Sequence, residues 1–447
     1  MELSGRKVIV VGLGRSGVAA ALLCARRGAR VIATDTRTRA ALGAVADQLE
    51  QHGATLVLGG HDAVAWAQAD TVVVSPGVPP FAALEQVERS GREVIGELEL
   101  ASRFVQAPIA LIGGTNGKST VTSWLGSMMS QGGRKVFVGG NLGAPPAEAV
   151  DEPHELWVLE ISSFQAERIP TLHAHCAALL NVTEDHLDRY AGFEQYAQAK
   201  GNMFVRMSAQ DTAVVPHGDE VCLRQAARGQ ASKLSFGPRG DVSVQDGAIV
   251  DRRQGRRWEV SSIRLSGEHN LMNVCASIAM AGALGATHAE VDQALRSFEG
   301  LGHRTSFVGE VDGVRFYDDS KGTNVGASVA ALRGVSEPRA VLIAGGRDKL
   351  GSYEPLVEAL EDKGRAVVLI GEAAKRIAAA IGGKVEHVKA ESMQEAVERA
   401  WELAHPGDAV LLSPACASFD MFRDYAHRGK AFVEAVERLA AKRGGER

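Results

Sequence analysis

Short apolar runs along the chain are each followed by a glycine-rich or polar turn and then by a stretch with helical spacing. Lys7–Val11 is the first run; Gly12-Leu13-Gly14-Arg15-Ser16-Gly17 follows, and an Ala/Leu-rich stretch continues to Arg27. Gly28 reads as its C-cap and Val31–Thr34 as a second strand ending at Asp35. Thr71–Val74 is another strand, closed by Ser75-Pro76-Gly77-Val78-Pro79-Pro80. This order predicts a βαβ unit with parallel strands. Farther on, Ile109–Ile112 is a strand, Gly113–Thr120 a glycine-rich loop, Val121–Met129 a helix and Trp157–Glu160 a strand. Phe193–Met207 reads as helical, and Val242–Val260 alternates, with Asp246-Gly247 as a hairpin turn and Arg252–Arg257 as a charged loop. Val314–Tyr317, Ala340–Ala344, Ala366–Ile370 and Ala409–Leu412 are four more apolar runs with helical stretches between them.

The pattern is α/β, and 447 residues at roughly 150 per domain suggest about three domains. The expected division is 1–95, a Rossmann-like domain; 96–300, a P-loop ATPase-like parallel sheet with a small antiparallel annex; and 301–447, a second Rossmann-like domain, with the last boundary near Gly300-Leu301-Gly302. The net charge of −5 argues against nucleic-acid or membrane-surface binding by bulk electrostatics. Hydrophobic residues at 45% can fill large cores. The 50 glycines, without a repeat, point to tight turns and phosphate loops. Five scattered cysteines include no CxxC pair, so neither a disulfide framework nor a zinc site is expected. No signal peptide and no apolar run of about 20 residues is present, which predicts a cytoplasmic protein without a membrane span.

Two glycine-rich loops carry most of the chemistry. Gly12-x-Gly14-x-x-Gly17 with Asp35 at the end of the next strand matches a dinucleotide fingerprint, in which a helix N-terminus holds a diphosphate. The structural alternative is a glycine turn that binds nothing. Gly113-Gly114-Thr115-Asn116-Gly117-Lys118-Ser119-Thr120 is a shortened P-loop, with Ile112 where the first glycine of the usual motif belongs. Its backbone N–H groups would cradle phosphate, Lys118 would reach the β- and γ-phosphates, and Ser119 would ligate Mg²⁺. One diphosphate fingerprint and one triphosphate loop suggest two phosphorylated ligands brought together.

Glu160 ends a strand, where a carboxylate beside a P-loop can contact Mg²⁺; a solvated or capping glutamate is the alternative. Asn181-Val182-Thr183-Glu184-Asp185-His186-Leu187-Asp188-Arg189-Tyr190 packs several ligand types together, and His186 could bind metal or be structural. On its spacing alone Lys200 is a solvated helix lysine. Asn270 and Asn273 lie at i, i+3 at a helix start and could cap it or bind adenine; Arg304 could clamp phosphate or lie on the surface. Three loops at strand ends, Tyr317–Asn324, Gly345–Lys349 and Ser413–Asp420, mark the ligand edge of the third domain and suit a carboxylate or phosphate.

Together these segments resemble the Mur ligases, ATP-dependent amide ligases of peptidoglycan precursor synthesis, and within them the glutamate-adding branch. The shortened Gly-Thr-Asn-Gly-Lys-Ser loop, Asp35-Thr36-Arg37, His186-Leu187-Asp188-Arg189-Tyr190, Asp319-Ser320-Lys321-Gly322-Thr323-Asn324 and Leu412-Ser413-Pro414-Ala415-Cys416-Ala417-Ser418 carry the likeness over all three blocks. The Asp-Asn-Pro-Arg signature of the diaminopimelate- or lysine-adding relatives is absent. Gly113 departs from the threonine usual in the superfamily, which would loosen the loop slightly.

The resemblance implies UDP-N-acetylmuramoyl-L-alanine, D-glutamate and ATP as substrates, two Mg²⁺ sites, and CO₂ bound as a carbamate on Lys200. Gly14, Arg15, Ser16, Asp35, Thr36, Arg37, Gly77 and Asn141 would contact the UDP substrate. Gly114, Thr115, Asn116, Gly117, Lys118, Ser119, Thr120, Asn270, Asn273, Arg304 and Asp319 would hold ATP. Ser119, Glu160, His186 and Lys200 would place magnesium, and Lys118, Glu160, His186, Lys200 and Lys321 would serve catalysis, with Lys321 on the transferred phosphate. Thr323, Lys349, Ser418 and Tyr425 would line the glutamate pocket. The implied protein is a monomer, and because water must be kept from an acyl phosphate the third domain is expected to close over the second.

Rival readings differ in class. A NAD-dependent dehydrogenase leaves Gly117-Lys118-Ser119 idle. Folylpolyglutamate synthetase shares the ATP loop but lacks this first domain. A non-catalytic UDP-sugar sensor would have lost Glu160, His186 and Lys200. A ligase for another amino acid, such as L-glutamate, stays open.

Overall fold

The computed structural model describes residues 1–264, 267–300 and 302–444. Leu301, at the expected domain boundary, lies outside the described residues. The chain divides into two units: Met1–Val182 with Ala197–Arg264 and Met272–Phe298, and Thr183–Tyr196 with Leu265–Leu271 and Glu299–Arg447.

The first unit holds two sheets. Strands β1 (Lys7–Val11), β2 (Arg30–Asp35), β3 (Thr55–Leu58), β4 (Thr71–Val74) and β5 (Glu93–Gly96) form a parallel sheet in the order β3-β2-β1-β4-β5. Along β1, Val8 and Val10 pack into one core layer, and Ile9 and Val11 into the layer on the other face. A strand covered on both faces carries a continuous apolar run, which is why its sequence does not alternate. The helix Arg15–Arg26 packs close to the sheet, because a methyl group on Gly17 would collide with the Gly12 carbonyl oxygen. That helix is capped by Arg27, so Gly28, at φ 78°, stands one position beyond the C-cap expected for it.

The second sheet comprises β6 (Ile109–Gly113), β7 (Val136–Gly140), β8 (Leu156–Glu160), β9 (Cys176–Leu179), β10 (Thr212–Pro216), β11 (Ser232–Phe236), β12 (Val242–Gln245), β13 (Ala248–Asp251) and β14 (Arg256–Glu259). Its order is β14-β13-β12-β11-β10-β9-β6-β8-β7. It is parallel from β7 to β12, and β12, β13 and β14 pair antiparallel, forming the annex read from the alternation. Asp246 and Gly247 turn the hairpin with φ values of 47° and 72°, both left-handed as such a two-residue turn requires. The helical run from Phe193 ends at Gly201 and tightens into a 3₁₀ turn over Asn202–Phe204, short of the expected Met207.

The second unit holds β15 (Ser306–Val311), β16 (Val314–Asp318), β17 (Ala340–Gly345), β18 (Gly364–Ile370), β19 (Glu386–Lys389) and β20 (Ala409–Leu412). The order is β15-β16-β20-β17-β18-β19, parallel except for the β15–β16 pair. Along β17, Ala340, Leu342 and Ala344 enter one core layer, and Val341 and Ile343 the other. The edge strands β3, β15 and β19 were not read from the pattern. They are half exposed, so sequences such as Glu386-His387-Val388-Lys389 lack the apolar run of a central strand.

Within the first unit, the helix Glu97–Ser102 ties the two sheets together. Glu99 accepts from the Thr171 and Leu172 N–H groups, and Glu97 accepts from Ala147 N–H at 2.7 Å while its other carboxyl oxygen has no partner among the described residues. Burial pushes the Glu97 carboxyl up to about 8, with the nearby Glu148 charge adding to the shift against the Ala147 hydrogen bond. The folded chain therefore keeps a proton that the unfolded chain releases above about 4.5. Stability from this group is fullest below about pH 4.5 and is lost as pH rises toward 8. Glu97→Gln should accordingly stabilise the protein at pH 8 relative to wild type. Their difference in unfolding free energy should grow by up to about 1.4 kcal/mol per pH unit across that window, as read by urea denaturation at a series of pH values. A difference independent of pH would refute it.

Candidate active site

All the candidate ligand groups of the first sheet stand at the carboxyl ends of parallel strands. The strand order changes direction there, since β1 lies between β2 and β4, and the crevice this opens is where α/β sheets bind ligands. A cavity of about 560 Å³ fills it. Gly14, Arg15, Ser16, Asp35, Thr36, Gly77 and Asn141, all expected at the UDP substrate, line the cavity together. Arg37, expected with them, does not line it but forks onto Asp35, with Nη2 at 2.8 Å and Nε at 3.0 Å. Burial alone would raise the Asp35 carboxyl; the Arg37 side chain and N–H and the Leu13 N–H outweigh it and hold Asp35 down at about 2. Asp35 therefore stays ionised and fixes the glycine turn through its 2.6 Å bond to Leu13 N–H. Arg15 reaches Glu148 at 3.2 Å and the Gly143 carbonyl at 3.0 Å, which aims its guanidinium across the cavity mouth. His61 and Phe81, which the pattern did not single out, complete one wall.

The P-loop leaves β6 between β8 and β9 and enters the helix Lys118–Ser130. Gly114 and Gly117 have φ values of 143° and 85°. A side chain on Gly117 would strike the Asn273 amide, which therefore packs directly against the loop. Gly113 is not loosely packed: a methyl there would lie 3.0 Å from the Met203 sulfur, so the methionine fills the space expected for a larger side chain. Asn181, to which no role was assigned, clamps the loop from β9's side. Its amide accepts from Asn116 N–H at 2.8 Å and donates to the Asn116 carbonyl at 3.1 Å, and its own carbonyl accepts from Thr115 N–H at 3.0 Å. Ser119 and Thr120 are buried in the first turn of the helix.

Lys118 Nζ donates to the Gly114 and Thr115 carbonyls at 3.0 and 2.8 Å, and the buried Lys200 donates to the same Gly114 oxygen at 2.7 Å. Lys200 is thus no solvated helix lysine. Glu160 is 1% exposed at the end of β8; Asn141 donates to Oε1 at 2.6 Å, and Oε2 has no partner among the described residues. A buried carboxylate oxygen without a donor among the described residues, on the strand next to the one that feeds the phosphate loop, suits a hard divalent cation, so Glu160 fits Mg²⁺, with the Ser119 hydroxyl at the start of the loop's helix as a further oxygen donor.

The remaining candidates belong to the second unit, with the exception of Asn273. Asn270 sits near the start of the helix Glu268–Ala283. His186 holds a left-handed backbone at φ 56°, its N–H bonded to Asp185 at 2.9 Å. Asp185, unassigned from sequence, pairs with Lys349 at 2.9 Å and accepts from Asn324. Lys321 Nζ lies over the Tyr425 ring at 4.4 Å and donates to its hydroxyl at 3.1 Å. Asp319 accepts from Ser413 at 2.6 Å and from Thr305 N–H at 3.2 Å; burial pushes it up to about 7 against these bonds and the Arg304 charge. Arg304 Nε is buried with no partner among the described residues. Thr323 N–H bonds to the Lys321 carbonyl, and Ser418 is buried on the loop after β20. Arg428, wholly buried and missed because it looks like any arginine on an amphipathic helix, ties these loops together through the Ser320 hydroxyl and carbonyl and the Cys416 carbonyl.

A cavity at the carboxyl ends of one parallel sheet, and on the next sheet a glycine-rich phosphate-type loop with a buried carboxylate and lysine, mark a nucleotide-binding α/β protein. Sequence comparison places it more narrowly. The Mur ligase MurD-like N-terminal domain matches residues 6–96, the Mur ligase middle domain 112–281, and the Mur ligase glutamate ligase domain 303–416. The chain is 45% identical to the UDP-N-acetylmuramoylalanine–D-glutamate ligase of Geobacter metallireducens, over 100% of each chain. It is 44% identical to the enzyme of that name from Desulfosudis oleivorans, over 98% of each. A MurF ligase from Thermotoga maritima, solved in complex with ADP, shares the fold with a TM-score of 0.61 at 20% identity, covering 99% of this chain and 96% of that one. The chain belongs to the Mur ligase family.

Glu160→Gln removes the charge but keeps an acceptor for Asn141. Magnesium-dependent ADP binding should weaken by about 10–100-fold in a titration with and without the cation, while binding without magnesium stays as in wild type. Equal magnesium dependence in both proteins would contradict the assignment.

Proposed function

We propose that the protein joins D-glutamate to UDP-N-acetylmuramoyl-L-alanine, converting ATP to ADP and phosphate by way of an acyl phosphate. The observation that carries the reading is Asn141. Its side chain lines the cavity at the first sheet and also holds the carboxylate of Glu160 beside the phosphate loop. One amide thus joins the site for a UDP-linked acid to the site for a nucleotide triphosphate, as a reaction between the two requires. The names of the full-length relatives supply the amino acid.

A carboxylate is a poor acyl donor, because oxide is a poor leaving group. In the proposed reaction the alanyl carboxylate attacks the γ-phosphorus and ADP leaves. The neutral amine of glutamate then attacks the acyl carbon, phosphate leaves, and the amine gives up a proton as the amide forms. The first step brings two anions together. Lys118 and the loop N–H groups hold the phosphate oxygens, and magnesium, when bound by Ser119 and Glu160, supplies the remaining charge neutralisation.

Lys200 is the natural partner for that charge once its amine has taken up CO₂ and released a proton. In the amine form, two ammonium groups donate to the single Gly114 oxygen; as a carbamate, Lys200 presents an anion to Lys118 and to magnesium. His186 and Lys321 keep, as part of this proposal, the magnesium and phosphate roles given by the resemblance, as do Thr323, Lys349, Ser418 and Tyr425 for glutamate. The enzyme would act as a monomer in the cytoplasm; no described helix is long and apolar enough to cross a membrane.

Phosphate release from ATP should appear with UDP-N-acetylmuramoyl-L-alanine and D-glutamate, with a product heavier by one glutamyl unit. L-glutamate, lysine or diaminopimelate should give none. Release with one of those instead would keep the mechanism and move the specificity. Lys200→Ala should lower the rate at least about 100-fold, with partial rescue by a short carboxylic acid. Full activity of that variant would exclude the carbamate.

A further inference from the structure

The cavity at the first sheet has one wall that the phosphate chemistry does not use. His61 lines it, stacked on Phe81 with ring centroids 4.8 Å apart and planes 18° from parallel. Trp66 meets the imidazole edge-on at 6.5 Å. The ring plane is therefore fixed, with one face covered, and the polar edge is what it offers to a ligand.

The identity of that edge follows from Thr34, fully buried near the end of β2. Its hydroxyl lies 3.3 Å from the Gly60 carbonyl and 2.8 Å from His61 Nδ1, and we assign its single hydrogen to the carbonyl, which turns a lone pair to Nδ1. Nδ1 then carries the proton of the neutral ring, and Nε2 is an acceptor. Among the described residues Nε2 has no protein partner.

We propose that His61 reads the base of the nucleotide in this cavity, with Nε2 accepting the imide N3–H of uracil. Uracil presents a donor at N3 and cytosine an acceptor, so a fixed acceptor accepts one pyrimidine and repels the other. Thr34 is the positioning residue that sets the tautomer. This assignment rests on the cavity being the uridine diphosphate site, and it adds the residue that selects the base.

The test is calorimetric titration of the full chain with UDP, CDP and 3-methyluridine diphosphate, for wild type, His61→Phe and Thr34→Val. Wild type should bind UDP about 10–100-fold more tightly than either of the others, the range expected when a buried donor loses its acceptor. His61→Phe keeps a ring to stack on Phe81 and should bring the three ligands within a few-fold of one another. Thr34→Val frees the imidazole to take its other tautomer and should narrow the gap between UDP and CDP without weakening CDP. Wild type binding 3-methyluridine diphosphate as tightly as UDP, or His61→Phe keeping the full preference for UDP over CDP, would overturn the inference alone. Absence of UDP binding in wild type, with ADP still bound, would overturn the uridine-site reading and this inference with it.

Discussion

Glu160 is buried at the end of a central strand, and one of its two carboxyl oxygens is held by a protein donor. Removing a charge from water is costly unless it is paired, so a carboxylate in this position needs a cation close to its open side. The neighbouring groups follow from that requirement. The phosphate loop lies on the adjacent strand β6, with Ile112 in register with Glu160. Ser119 and Lys118 begin the helix that the loop enters. Gly140 has no room for a side chain against the Glu160 backbone, which lets β7 deliver Asn141 to the carboxylate. Asn141 also lines the cavity at the first sheet, so one amide connects that cavity to the buried carboxylate.

Central strands such as β1, β4, β6, β8, β17 and β20 and both glycine loops were legible because their physics is local, whereas β9 and β10, no less buried, were not read. A strand buried on both faces must be apolar throughout, and a loop that wraps phosphate must have glycine where φ is positive, as at Gly114 and Gly117. Edge strands escaped because exposure relaxes the same demand. Among the site residues, those at strand ends were visible from their position. Those that act by holding other residues were not. Asn181 clamps the phosphate loop from a different strand, and Arg428 reaches the Ser320 and Cys416 loops from a helix more than a hundred residues beyond Ser320. Neither has a spacing that distinguishes it from a surface polar residue; only the closing of the fold gives them partners.

Lys200 shows the limit most clearly. Its helical spacing describes a solvated lysine, whereas in the fold it is buried and shares an acceptor with Lys118. Periodicity reports which face of a helix is apolar, and a lysine can lie on that face when its stem is buried and its amine finds a carbonyl. The resemblance to a family supplied a role that the pattern could not, and burial beside the Gly114 carbonyl gives that role a physical setting.

Charge in the second unit is arranged on the same principle. Asp185 is paired with Lys349, so the lysine expected at the amino-acid substrate is held in place by a carboxylate before any ligand contributes one. Asp319 is buried and Arg304 half-buried, and the arginine keeps one buried donor nitrogen, Nε, without a partner among the described residues. Arg428 loses solvation without meeting a carboxylate directly; burial lowers it to about 10, and its bonds to carbonyl oxygens and a hydroxyl keep the two loops at fixed spacing. The proposed reaction asks these loops for cations that neither collapse onto each other nor wander into solvent. Pairing some, such as Lys349, and leaving others a single open donor, such as Arg304, meets both conditions with the loops at the ends of one parallel sheet.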